Sequence, residues 1–125
     1  MTTRRGEIYW VEFDPVKGSE QGGLRPALVV QHDVGNRFSP TTVVAAITGR
    51  LPPRPYPFIV VLESDESGLP ARSVVNCSQL ATIQQSGESS RLRSAPGGMG
   101  IHPIGRLRPE KMKEVDDALR YNLGL

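Results

Sequence analysis

The densest set of residues able to do chemistry lies in Gly18-Ser19-Glu20-Gln21-Gly22-Gly23-Leu24-Arg25-Pro26. Glycines at 18, 22 and 23 allow backbone to reach positive φ or to approach a ligand closely. Ser19, Glu20 and Gln21 place a hydroxyl, a carboxylate and an amide on that loop. Arg25 stands at its exit. Pro26 fixes its own φ and biases Arg25 towards extended geometry. The apolar run Ala27-Leu28-Val29-Val30 then reads as a strand. A planar cation with five donors is therefore held at the mouth of a rigid element, which suits an oxyanion or a phosphate. A plain connecting loop with a solvated arginine has the same composition.

Other reactive groups are sparse. His32 and His102 invite a two-histidine acid–base scheme. His32 ends a strand near the cleft that Arg25 would border, and His102 lies in a stretch rich in Ser, Gly and Arg; histidine is also an ordinary surface residue. Cys77 is the only cysteine, which excludes an intramolecular disulfide and a cysteine-based zinc set. With no base nearby in sequence, it reads as a buried strand residue rather than a nucleophile. Asp65 and Glu66 could bind a divalent ion, but fit a solvated turn equally well. No clustered carboxylate set is visible, and no cofactor or metal is expected.

At 125 residues, one domain spanning 1–125 with one small core is expected. The net charge of +2 and pI of about 9.0 are compatible with a nucleic-acid partner without requiring one. Arginines far outnumber lysines, which leans towards phosphate or base recognition. The N-terminus lacks the apolar segment of a signal peptide, and no apolar run approaches a membrane span, so a cytoplasmic protein without membrane contact is expected.

The elements that must position these residues are short. Glu7 to Phe13 reads as a strand with both faces largely apolar, ended by Asp14-Pro15. Further strands are expected over Ala27–Gln31, Thr42–Thr48, Phe58–Leu62 and Ser73–Leu80, the last compatible with an extension to Ile83. Residues 33–40 and 64–68 read as turns, and 49–57, with four prolines plus Arg50 and Arg54, as a breaker. Residues 86–105 read as a mobile surface segment, where Arg91 and Arg93 could hold a polyanion or simply be solvated. Pro109 to Asn122 reads as a helix: proline suits the first position, Glu110 the dipole, and Gly124 the stop. Met112, Val115, Ala118, Leu119 and Asn122 share one face, as core packing requires. Five short strands and one late helix suggest a mainly β fold, a small curved antiparallel sheet closing as a partial barrel.

The order Arg5-Gly6-Glu7-Ile8-Tyr9-Trp10-Val11, the glycine loop with Arg25-Pro26, Ala27 to Gln31, Asp33-Val34-Gly35-Asn36 and Val43 to Thr48 closely resembles the MazF/PemK family of toxin endoribonucleases. The resemblance runs nearly without gaps from residue 4 to about 83 and resumes from Ile104. Over 86–105 the chain departs from the short helical turn that the family would have there. The resemblance implies an SH3-like partial barrel of the CcdB/PemK type, a homodimer, and metal-independent cutting of single-stranded RNA held in check by a cognate acidic antitoxin. It also implies catalytic roles for Arg25 and Thr48. Such cleavage needs a proton acceptor, a donor and stabilisation of the non-bridging oxygens. Arginine stays charged near neutral pH, so an electrostatic clamp suits Arg25 better than proton transfer. Thr48 can donate a hydrogen bond to the same phosphate. Ser19 and Gln21 can contact phosphate or base edges, and Ser73, Asn76 and Gln79 on the fifth strand can read unstacked bases. Two alternatives stand beside this: a gyrase-poisoning toxin of the CcdB type, and an RNA-binding barrel without activity. The intact loop with Arg25 and Thr48, and an end at Asn122-Leu123-Gly124-Leu125 without an aromatic, favour the nuclease.

Overall fold

A computed structural model describes residues 2–14 and 23–125. In chain order they form β1 (Glu7–Phe13), β2 (Gly23–Val29), α1 (Asp33–Phe38), β3 (Thr41–Thr48), β4 (Ile59–Leu62), α2 (Ser64–Ser67), β5 (Ser73–Gln84), β6 (Leu92–Arg93), β7 (Gly105–Arg106) and α3 (Pro109–Leu123). All pairings are antiparallel in one curled half-barrel sheet ordered β4-β5-β3-β2-β1, with β6 and β7 sharing the remaining edge of β1. The expected mainly β fold with a C-terminal helix is the fold observed.

The double-faced apolar pattern of β1 has a direct cause. Side chains alternate along a strand, and here both faces are covered. Ile8, Leu28, Ala45, Ile47 and Val75 meet Met112, Val115 and Ala118 of α3 on one face. Tyr9, Val11, Ala27, Val29 and Val44 gather with Ile83 and Leu92 on the other. Each Leu, Ile or Val so buried contributes about 1.5–3 kcal/mol relative to exposure.

Several expectations need correction. Residues 33–38 form a short helix, not a turn. The His32 Nδ1 accepts from Gly35 N at 3.3 Å as its cap, Asp33 lies in the first turn and Arg37 in the last; Gly35 inside it obscures the helical signal. Residues 64–67 close one helical turn, ended by Gly68 at φ 81°. A Cβ on Gly68 would lie 2.4 Å from the Ile104 carbonyl oxygen, so only glycine fits there. β2 begins at Gly23 rather than Ala27, which brings Arg25 and Pro26 inside the strand. Pro26 faces Trp10 of β1 before β2 meets β3 at Ala27, an edge position that tolerates the missing N–H. β5 runs on to Gln84, and Asn122 is exposed rather than on the buried face of α3.

The stretch 86–105, expected to be a surface segment without structure, supplies β6 and β7. Leu92 is 1% exposed and Ile101 packs beside it on the second face. Arg91 pairs with Asp14 at 2.8 Å, and Arg93 donates to the carbonyls of Ser90 and Leu92, so both arginines are engaged locally.

Candidate functional site

The start of β2, the end of β3 and the start of β5 lie at the same end of the sheet. In the β2–β3 ladder Ala27 faces Ala46, and continuing that register by two residues sets Arg25 opposite Thr48. By alternation, both side chains leave the sheet on the face of Ala27 and Ala46. Across the next ladder Thr48 faces Val74 and Ala46 faces Asn76, so Asn76 shares that face one step away.

A cleft of about 350 Å³ opens at this end. Arg25, Thr48 and Ser73 line it together with Trp10, Leu24 and Pro26, and Leu69 to Arg72 close it from the α2–β5 connection. Trp10, Pro26, Ile47 and Ser73 belong to the helix-facing side. Arg25 and Thr48, one residue out of phase with Pro26 and Ile47, reach the cleft where the strands end.

Thr48 Oγ1 accepts from Arg50 N at 3.2 Å. That bond uses an oxygen lone pair and leaves the hydroxyl proton to be donated. Ser73 is 4% exposed, and its Oγ has no hydrogen-bond partner among the described residues. Asn76 Oδ1 accepts from both the backbone N and the hydroxyl of Ser78, at 2.9 and 2.6 Å. Its carbonyl is thereby occupied, which leaves its amide N–H groups as the group able to read a base.

Gln79 lies outside the cleft. Between Ala45, which faces Leu80, and Ala46, which faces Asn76, the residues Cys77, Ser78 and Gln79 have no partner on β3. This bulge carries Gln79 as an exposed side chain. Ser19 and Gln21 lie outside the described residues.

Histidine chemistry has no footing at this end. His32 follows the far end of β2 from Arg25 and caps α1, which corrects its placement near the cleft. His102 does not line the cleft either. Burial pushes the Cys77 thiol up to about 11, so it stays protonated near neutral pH. Among the described residues no group of three His, Cys, Asp or Glu could hold a metal ion, and no helix is long and apolar enough to cross a membrane. Glu66 accepts from Glu63 N and pairs with Lys111.

Trp10 and Arg72 were missed by sequence reasoning. Arg72 had a readable signal, because it follows Pro70-Ala71 and precedes a strand, much as Arg25 follows its loop. Trp10 had none, since a tryptophan in an apolar strand reads as core.

A curled antiparallel half-barrel with an arginine and a threonine lining a cleft at one end is the architecture that the resemblance to toxin endoribonucleases implies. Residues 4–123 match the PemK-like, MazF-like toxin of type II toxin–antitoxin systems, and the chain belongs to that family. It is 39% identical to the endoribonuclease MazF of Staphylococcus saprophyticus over 98% of this chain and 92% of that one. Its fold is similar to the crystal structure of MazF from Deinococcus radiodurans, with a TM-score of 0.75, 25% identity, and coverage of 100% and 99% of the two chains. A mycobacterial endoribonuclease in complex with its cognate antitoxin has the same fold, with a TM-score of 0.72 at 22% identity over 98% of this chain and 96% of that one.

Proposed function

We propose that this protein is a sequence-specific, metal-independent endoribonuclease toxin that cuts single-stranded RNA by attack of the 2′-hydroxyl on the adjacent phosphorus. The observation that carries this reading is that Arg25 and Thr48 line one cleft, at positions that an extension of the β2–β3 register sets opposite each other. The 2′-hydroxyl loses a proton, its oxygen bonds to phosphorus, and the bond to the 5′-oxygen breaks as that oxygen gains a proton. Charge collects on the non-bridging oxygens. The Arg25 guanidinium suits those oxygens as a permanent cation, and the Thr48 hydroxyl adds a neutral donor. Ser73 and Asn76 supply polar groups for the bases beside the scissile bond, and Ser19, Gln21 and the exposed Gln79 would contact RNA from the loop and the bulge.

The working unit is a homodimer in the cytoplasm, neutralised by a cognate antitoxin with an acidic segment. Family membership and the intact Arg25–Thr48 pair favour this reading over a gyrase poison or an inactive RNA-binding barrel.

Incubating the purified protein with a long RNA in excess EDTA tests the proposal. The expected products carry a 2′,3′-cyclic phosphate and a 5′-hydroxyl, and replacing the 2′-hydroxyl at the cut position by hydrogen stops the reaction. Continued cutting of that substrate would point to an attacking water. RNA retention without cutting would leave the binder, and gyrase arrest with neither would leave the poison.

A further inference from the structure

We infer that Arg72 is a second phosphate-binding residue of the cleft, held in reserve by Glu63 and released to the RNA backbone when substrate enters. The inference rests on the endoribonuclease reading and extends it to a residue that neither the family resemblance nor the sequence analysis singled out. Arg72 lines the cleft beside Arg25, Thr48 and Ser73. Its side chain is 56% exposed, and its Nε donates to Glu63 Oε2 at 3.0 Å. That bond uses one of five guanidinium donors. Glu63 is itself 54% exposed, and ion pairs this open to water contribute little, so a phosphate presenting two oxygens to the fork displaces the carboxylate readily.

The surroundings favour a nucleotide over a free anion. The cleft that Arg25 and Arg72 line is also walled by Trp10, Leu24, Pro26, Leu69 and Pro70, an apolar surface suited to the face of an unstacked base. Ser73, next to Arg72 in sequence, keeps its buried hydroxyl without a partner in the described structure. One cleft lined by two arginines and an apolar wall, with a buried unpartnered hydroxyl beside it, suits one nucleotide and its two flanking phosphates. Arg25 takes the scissile phosphate and Arg72 the neighbouring one.

The test is steady-state cleavage of a single-stranded RNA oligonucleotide bearing the mapped cut site, over a salt series, with Arg72→Ala and Glu63→Gln. Affinity for the same oligonucleotide with a 2′-deoxy cut position is measured alongside. Arg72→Ala is expected to raise KM about tenfold, to leave kcat within about twofold, and to flatten the logarithmic salt slope by about 0.7, the loss of one phosphate contact on a single strand. Glu63→Gln removes the competing carboxylate and is expected to lower KM. A shared upward shift of KM in both variants would mean that the pair only supports the loop, and would overturn the inference. So would equal affinity and equal salt slope for the wild-type protein and Arg72→Ala. Absence of cutting by the wild-type protein would instead overturn the nuclease reading, with the 2′-deoxy affinities still deciding the Arg72 contact.

Discussion

Ser73 shows how stability and function separate at a single atom. A buried hydroxyl without a partner costs folding free energy, and removing it relieves that cost. Ser73→Ala is therefore expected to be neutral or to stabilise the fold by up to about 1 kcal/mol, read as an unchanged or raised Tm, while RNA cleavage falls. A loss of stability with unchanged cleavage would assign the hydroxyl to the fold. Arg25 and Thr48 make the complementary case, since both are only half-buried and belong to neither apolar cluster, so truncation spares the core. Arg25→Ala and Thr48→Ala are each expected to lower kcat by about a hundredfold or more, the usual loss when one preorganised donor is removed, with far-UV circular dichroism unchanged. Thr48→Ser keeps the hydroxyl and is expected to retain most activity. Near-normal turnover in both alanine variants would remove the site.

At the scale of elements, the bulge in β5 governs what could be read from sequence. Before it, Val75 packs on the helix-facing side; after it, Leu80 does, so three unpaired residues switch the phase of the strand. A strict period of two across Ser73, Asn76 and Gln79 cannot place them. The structure leaves Ser73 in the cleft, Asn76 on the Thr48 face and Gln79 on the bulge. The strand centres and α3 were legible because apolar periodicity and the Pro109 and Gly124 signals agree there. The start of β2 was not, because a proline inside a strand argues locally against one. The covering of the second face was hidden for another reason: Leu92 and Ile101 are isolated apolar residues in a polar stretch. The close approach of α2 to β7 gives a sharp test. A Cβ on Gly105 would lie 2.2 Å from the Ser67 carbonyl oxygen. The φ of Gly105 is not positive, so the objection to alanine is steric, and Gly105→Ala is expected to cost about 2–3 kcal/mol in urea unfolding. The start of α1 gives a pH test. Asp33 Oδ1 accepts from Arg5 N at 2.7 Å, and that bond, aided by Asn36 and by Arg106 and Arg4, holds its carboxyl below the usual carboxylate range. A lowered folded pKa contributes stability that is present above the unfolded value and is lost as pH falls through the folded one. Asp33→Asn is expected to lower Tm near neutrality and to flatten its acid limb, the variant and the wild-type protein converging at low pH.

Over the whole molecule, the N-terminal segment ties the far end of the sheet together. Thr3 donates to Gln85 Oε1 through both its backbone N and its hydroxyl, and Gln85 Nε2 donates to the carbonyls of Asn36 and Ser39. Arg5 reaches Val30 O through Nε, and its Nη2 pairs with Asp116 of α3 at 2.7 Å. One end of the half-barrel is thus cross-braced by buried polar bonds, and the other opens as the cleft. A rigid frame around an open end suits a flexible acidic peptide that folds as it binds and competes with RNA for the same arginines. A saturating acidic antitoxin peptide is expected to weaken RNA affinity, and charge reversal at the exposed Arg50 and Arg54 to weaken the peptide. Simultaneous binding of peptide and RNA without mutual effect would rule out a shared groove.

Trp10, the only tryptophan in the chain, lies half-buried in the wall of the cleft that Arg25 and Leu69 also line. The protein thus carries an intrinsic optical label at the place where substrate is expected. Excited selectively at the red edge, its emission reports on one locus, and a base laid against the indole would quench or shift it. Titration with the uncleavable 2′-deoxy oligonucleotide should give a saturable emission change at the concentration where binding occurs, with no dye attached. An indole deaf to bound RNA would place the nucleotide elsewhere on the sheet.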